Sequence, residues 1–247
     1  YLYYADRVYQ INLAVAGIAV GTVMLPELSK HVKNNNSDLI TNLQNRALEL
    51  CLFLSIPAGT ALVIASEEIV TSLFGYGSFD YKSVNNTAIA LTFFAFGVPA
   101  FSILKIFSNF FFARNNTKLP FYLSVISVIL NILISVLFFG KLGFVIIPIA
   151  TSISSWINVI LHFYFIKKQN LHDFDRTFIY KFPRIIFSTI VMGIILYFTL
   201  GFFSDKFNYN ESWKIVYLFI IVSVNLLIYF FVSNFSGAFK LKDIKLR

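Results

Sequence analysis

Apolar residues occur in this chain in blocks too long for the core of a soluble domain, separated by short polar breaks. Seven such blocks cover residues 3–28, 39–65, 84–112, 119–139, 144–166, 182–203 and 213–235. Each is about 20 residues or longer, the length an α-helix needs to cross about 30 Å of hydrocarbon. Backbone groups inside lipid must bond within their own segment or within a closed barrel. Barrel strands alternate apolar and polar positions over about ten residues. Val125 to Phe139 runs on without that alternation, so the blocks predict helices. The expected fold is all-α, a polytopic membrane bundle of about seven transmembrane helices.

Between the second and third blocks, Ser66 to Ser83 carries Glu67 and Glu68, then Ile69, Val70, Leu73 and Phe74, then Gly75-Tyr76-Gly77. This predicts a short amphipathic helix lying at the membrane interface and ended by glycines, too short to span.

Composition agrees with the pattern. Apolar residues make up 57% and charged residues 13% of the 247, against about 25% charged in ordinary soluble domains. The net charge of +8 lies in the polar breaks and forms no single basic face, which argues for membrane topology and against a nucleic-acid partner. Cys51 is the lone cysteine and lies in an apolar block, so no disulfide forms within the chain.

The breaks also predict orientation. Lys30, Lys33, Arg114, Lys118, Lys167, Lys168, Arg176, Lys181, Arg184, Lys240, Lys242, Lys245 and Arg247 fall on one side, whereas the other holds only Lys82, Lys141, Lys206 and Lys214. The positive-inside rule puts the first set in the cytoplasm, with Tyr1 outside and the carboxy terminus inside. Tyr1, Tyr3, Tyr4, Tyr209 and Trp213 then mark the outer boundary and Tyr180 the inner one. Pro57, Pro99 and Pro148 fall within blocks, whereas Pro120 and Pro183 stand near helix starts. Tyr1 occupies the place of an initiator Met and the first residues already read as helix, so the expectation is a fragment.

Ionisable residues within spans are the candidates for chemistry, because they are costly in lipid unless they face an interior, a water cavity or a partner. Asp6 and Arg7, with Gln10 one turn later, stand in the outer part of the first block. Either they face a cavity, where the Arg7 fork meets a diphosphate or carboxylate, or they neutralise each other at the interface. Arg46 and Glu49 are three residues apart in the second block. A local ion pair is one reading, a place in the cavity or gate the other. Lys105 lies well inside the third block and either faces the cavity or snorkels to the interface. Gly17 and Gly21 have the spacing of close helix packing. His31, His162 and His172 lack metal-ligand spacing, and no nucleophile elbow or phosphate loop occurs. The expectation is therefore a protein with no catalytic residues, metal or cofactor, and no enzyme.

Three stretches carry a resemblance. Tyr3-Tyr4-Ala5-Asp6-Arg7-Val8-Tyr9-Gln10, continued by Ala16 to Ser29, is similar to the eighth helix of the MurJ/MviN family. Leu73-Phe74-Gly75-Tyr76-Gly77-Ser78-Phe79 resembles a loop of that family, and Phe111 to Pro120 the passage from its tenth to its eleventh helix. The seven blocks match helices eight to fourteen, and the resemblance covers essentially the whole chain.

The resemblance implies a fourteen-helix exporter fold of two lobes around a central cavity, with two extra helices at the end that form a lipid-facing groove. Residues 1–166 would form the carboxy-terminal lobe of the core, and 167–247 the two additional helices and a cytoplasmic tail. The cargo would be lipid II, the undecaprenyl-diphosphate-linked disaccharide-pentapeptide, flipped to the outer leaflet of the bacterial inner membrane by alternating access. Partners would be that lipid, membrane lipids and the cell-wall synthesis machinery. Arg7 would meet the diphosphate, with Asp6 orienting it and Gln10 and Lys105 also in the binding region; Arg46 and Glu49 are candidates for cavity or gate. Gln10 stands where some members have an acid and Asn12 where many have proline. The alternatives are export of another lipid-linked polysaccharide precursor and a non-transporting membrane scaffold.

Overall fold

The computed structural model describes residues 1–239, apart from the side chains of Val15 and Ala19, and the basic tail from Lys240 onward lies outside the described residues. The described residues form helices and connecting turns. They are α1 (Leu2–Leu13), which continues through a π-helical segment (Ala14–Ala19) into α2 (Val20–Lys33), then α3 (Ser37–Ile64), α4 (Ser66–Phe74), α5 (Tyr81–Ala95), α6 (Val98–Phe112), α7 (Lys118–Leu142), α8 (Ile146–Lys168), α9 (Arg176–Phe202) and α10 (Lys214–Ser236).

Five helical stretches are long and apolar enough to cross a membrane: Leu2–Lys33, Ser37–Ile64, Lys118–Lys168, Arg176–Phe202 and Lys214–Ser236. The pair α5 and α6, bent by 40°, is long and apolar enough when taken together. Lys118–Lys168 has 51 residues, which at about 1.5 Å per residue is more than twice the thickness of a bilayer core. It doubles back at Gly143, whose φ of +59° suits a residue without Cβ. Ser127 Oγ donates to Ser154 O at 3.0 Å and Asn131 Nδ2 to Thr151 Oγ1 at 3.0 Å. Rising numbers on α7 therefore meet falling numbers on α8, an antiparallel hairpin. Counting the bent pair as one and the hairpin as two, the described residues form seven apolar helical stretches, with Lys30, Lys33, Arg114 and Lys167 toward one end of the bundle and Tyr1 toward the other.

Helix starts carry their own caps. Asp80 Oδ1 accepts from Ser83 N at 2.8 Å and Asp175 Oδ1 from Phe178 N at 2.6 Å, satisfying amides that open α5 and α9. The break between α5 and α6 is set by Gly97 and Pro99. A Cβ on Gly97 would lie 2.8 Å from the Phe101 ring and from Ser152 Oγ, and Pro99 supplies no N–H to the preceding turn. The carbonyls released there are taken up by α8: Ser152 Oγ donates to Phe93 O at 2.6 Å and Trp156 Nε1 to Phe96 O at 3.0 Å.

Packing divides by depth. At the Tyr1 end, α1, α4 and α5 meet the ends of α9 and α10 around Tyr9, Leu91, Phe94 and Leu200. At the basic end, α2, α3, α6 and α8 close around Met24, Leu48, Phe110 and Phe111. The outer faces of α7, α9 and α10 carry exposed Val136, Leu137, Phe198, Phe219 and Phe231, an apolar surface that belongs in lipid. The short α4 ends at Gly75, as its glycines predict. Ile69, Val70, Thr71 and Ser72 are buried against α5 and α10 at the end of the bundle.

Candidate functional site

Along the first span, Tyr3, Arg7, Ile11, Ala14, Ile18, Thr22 and Pro26 are exposed. Steps of three or four residues place them on one helical stripe that this chain leaves open. Its polar part lies near the Tyr1 end. Gln10 Nε2 donates to Asp6 Oδ2, and Arg7 Nη1 donates to Gln10 Oε1 at 3.4 Å. The Arg7 guanidinium stands 5.0 Å from the centre of the Tyr3 ring. The structure thus brings Asp6, Arg7 and Gln10 together: the amide takes up the carboxylate, steadies the guanidinium and leaves the arginine fork open outward. Tyr9, one position from Gln10, is buried on the opposite side against Phe94 and Phe101, which anchors α1 to the bundle.

Lys105 belongs to a different level. Its Cγ would lie 3.4 Å from a Cβ built on Gly17, and the residue is exposed beside the first span. Gly17 is ten residues beyond Arg7, about 15 Å along a helix, so the two cations stand at separate depths on neighbouring helices. Around Gly17 the span is π-helical and made of small residues, Ala-Val-Ala-Gly-Ile-Ala. Asn109 Nδ2 donates to Gly21 O at 2.8 Å, satisfying a backbone carbonyl just past that segment. The Gly17 and Gly21 spacing does serve close packing, since Gly17 fits against the backbone of Ser102.

The last two candidates separate. Arg46 lines a cavity of about 340 Å³ at the basic end, with Glu27, His31 and Asn42. Glu49 turns the other way: its carboxylate accepts from Lys181 Nζ of α9 at 2.8 Å. The ion pair of Glu49 is made across helices, not with Arg46 one turn earlier. The six candidates therefore form one cluster, Asp6, Arg7 and Gln10, and three outlying positions.

A second cavity of about 370 Å³ is apolar and opens between the first span, α3, α9 and α10; Ile11, Pro57, Leu196, Leu226 and Phe230 line it, with Asn12 and Asn225. No short sequence pattern marks it, because its walls come from four distant segments. The sequence was also silent on the connection between α8 and α9, residues 169–175. Asn45 Nδ2 donates to Asp173 O at 2.9 Å, Arg114 Nη2 to Leu171 O at 3.2 Å, and His172 Nδ1 lies 3.1 Å from Gln44 Oε1. Burial, helped by the Lys167 charge, pushes the His172 imidazole down to about 4. Lys167 in turn holds the exposed Asp173 carboxyl below its usual range through a 2.8 Å hydrogen bond. Asn45 and Gln44 stood in the sequence as unremarkable polar residues of a span; their depth in a membrane helix was the available signal.

Comparison with known proteins adds sequence and fold likeness to this geometry. A family model described as "Lipid II flippase MurJ" matches residues 1–218. A "Probable lipid II flippase MurJ" of Rhizobium meliloti (strain 1021) is 37% identical over 196 residues, covering 79% of this chain and 37% of that protein. Its counterpart in Rickettsia prowazekii (strain Madrid E) is 32% identical over 246 residues, covering 86% of this chain and 48% of that protein. A solved structure titled "Lipid II flippase MurJ, inward closed conformation" superposes with a TM-score of 0.78 at 27% identity, covering 95% of this chain and 46% of that one. The chain spans half or less of the length of these relatives.

Proposed function

Because the chain belongs to the MurJ lipid II flippase family, we propose that it supplies the carboxy-terminal lobe of a transporter that carries lipid II from the cytoplasmic to the outer leaflet by alternating access. The observation that carries this reading is Arg7: a guanidinium within a membrane span, ordered by Gln10 and Tyr3 and presented on an open stripe. A cation there is costly in hydrocarbon unless an anion or water meets it, and a lipid-linked diphosphate is such an anion.

The rest of the site fits around it. Asp6 acts on Arg7 through Gln10, and Lys105 offers a second positive charge about 15 Å further along the path. Arg46, with Glu27 and His31, stands at the end where cargo would enter. The apolar cavity beside α9 and α10 suits a prenyl tail that stays in lipid while the hydrated headgroup crosses. Residues 1–166 would rock against an amino-terminal lobe to alternate access, with 167–247 as the added helical pair. The basic end of the bundle lies in the cytoplasm and Tyr1 outside, which the lysine and arginine distribution supports. Such a carrier makes and breaks no bond, and it hands its cargo to the cell-wall synthesis machinery.

The test is lipid II exposure at the outer leaflet in cells carrying the full-length protein. Arg7→Ala should lower it by about tenfold or more, the scale of a lost charge-assisted hydrogen bond, with normal membrane levels. Unchanged exposure would remove Arg7 from the site.

A further inference from the structure

We propose that polar knots near both membrane faces fasten α9 and α10 to α3 and α4, so that the terminal pair travels with the lobe as one body and the α3, α9 and α10 walls of the apolar groove keep a fixed spacing. The inference rests on the transport reading and specifies which surfaces do not part during it.

Near the basic end, the Lys181–Glu49 pair joins α9 to α3 with both side chains largely withdrawn from solvent, 16% and 8% exposed. Beside it the connection 169–175 is held by Asn45, Arg114 and Gln44. At mid-depth, Tyr229 Oη of α10 donates to Phe53 O of α3 at 2.8 Å, and Phe53 stacks on Phe239 with ring centres 4.2 Å apart. At the Tyr1 end, Lys214 opens α10 with its side chain fully buried. Its ammonium donates to Gly75 O at 2.6 Å and Tyr209 O at 2.7 Å and lies 4.0 Å from the Tyr76 ring centre. Tyr209 Oη donates to Gly77 O at 3.2 Å and Phe79 O at 3.0 Å, binding the 204–213 connection to the loop after α4.

A lid that opened between α3 and α9 would have to break these contacts together. The Lys214 and Tyr229 side chains are buried, so breaking their contacts would strand polar groups already withdrawn from water. The first span differs: its stripe is open, its middle is π-helical and Lys105 beside it makes no hydrogen bond or ion pair with the described residues. Relative motion therefore belongs to the open stripe of the first span and not to the seam between α3, α9 and α10 that forms the other walls of the groove.

The full-length protein carrying Thr60→Cys and Gly193→Cys, with its other cysteines replaced by alanine, tests this. A Cβ on Gly193 would lie 3.3 Å from Thr60 Cγ2, so side chains at the two positions meet across the α3–α9 seam. Oxidation should cross-link α3 to α9 and leave lipid II translocation unchanged. A loss on oxidation that reductant reverses would overturn the inference while leaving the transport reading intact. Failure of the pair to cross-link in a transporting protein would overturn it as well. Spin labels at Leu137→Cys on α7 and Tyr197→Cys on α9 give a readout independent of transport. One narrow distance distribution, the same with and without lipid II, is expected; a shift of several ångström on adding cargo would refute a single body. If the wild-type protein moves no lipid II, the transport reading fails separately.

Discussion

Lys181 Nζ meets Glu49 Oε2 at 2.8 Å, joining residues 132 positions apart in a region where both side chains are largely shielded. Such a pair contributes little net stability over a well-packed apolar pair, because desolvating two charges consumes most of their attraction. Its value is conditional: once folded, removing one charge takes from the other its 2.8 Å partner in a shielded place.

Removing one partner should therefore cost more than removing both. Lys181→Met should destabilise the protein by about 3–5 kcal/mol, and adding Glu49→Leu should recover much of that loss. Thermal unfolding of the three variants in one detergent, completed as a double-mutant cycle, measures the coupling. Equal stability for the single and double variants would mean that Glu49 finds other compensation.

Lys214 makes the corresponding prediction at the opposite face. Its ammonium is the donor for the carbonyls of Gly75 and Tyr209. Lys214→Met keeps the length and loses both bonds, at about 1.5–3 kcal/mol for each hydrogen bond to a charged group. Unfolding temperature should fall, and protease cleavage near Gly77 and Tyr209 should rise, since the two connections would no longer hold each other. Lys214→Arg keeps the charge and should fall between the two.

The bend between α5 and α6 leaves no room for a side chain at position 97. Gly97→Val should cost about 1–3 kcal/mol through overpacking, because Cβ alone would come within 2.8 Å of Phe101 and Ser152 Oγ. Thermal unfolding checks the cost, and Ser152→Ala should relieve the clash with Oγ while leaving Phe93 O without its donor.

Where the physics is local, the sequence was a good guide. Block length and hydropathy marked the seven long helical stretches, including the bent third, because a helix in lipid needs only its own backbone and an apolar surface. The Asp6, Arg7 and Gln10 cluster was legible for the same reason: residues three and four apart on a helix are neighbours. Legibility ended where contacts became long-range. Glu49 stood one turn from Arg46 in sequence, but the arginine lines the cavity beside α2 and the carboxylate faces α9. Lys214 read as a loop lysine at a membrane boundary, and only the return of 75–79 and 209 around it shows why it is buried. The partners of α4, α5 and α10, were hidden likewise, since its amphipathic pattern suits a membrane surface and a protein surface equally well.

His172 carries the last prediction. The ring is 3% exposed, packs against Phe110 and Phe174, and directs Nδ1 to Gln44 Oε1; its Nε2 has no partner among the described residues. Burial and the Lys167 and Arg114 charges disfavour the imidazolium more than Asp173 and Asp175 favour it, so the folded-state value drops to about 4. An unfolded histidine titrates near 6.5. Between those values the unfolded chain binds the proton and the folded chain does not, so stability falls as pH drops through the window and levels off below it. The full effect is on the order of 3 kcal/mol. Unfolding temperatures of the wild type should decline between pH 6.5 and 4 more steeply than those of His172→Asn, which has no proton to bind. Parallel slopes for the two proteins would show that His172 does not govern acid sensitivity, and that the connection 169–175 holds without a neutral ring at its centre.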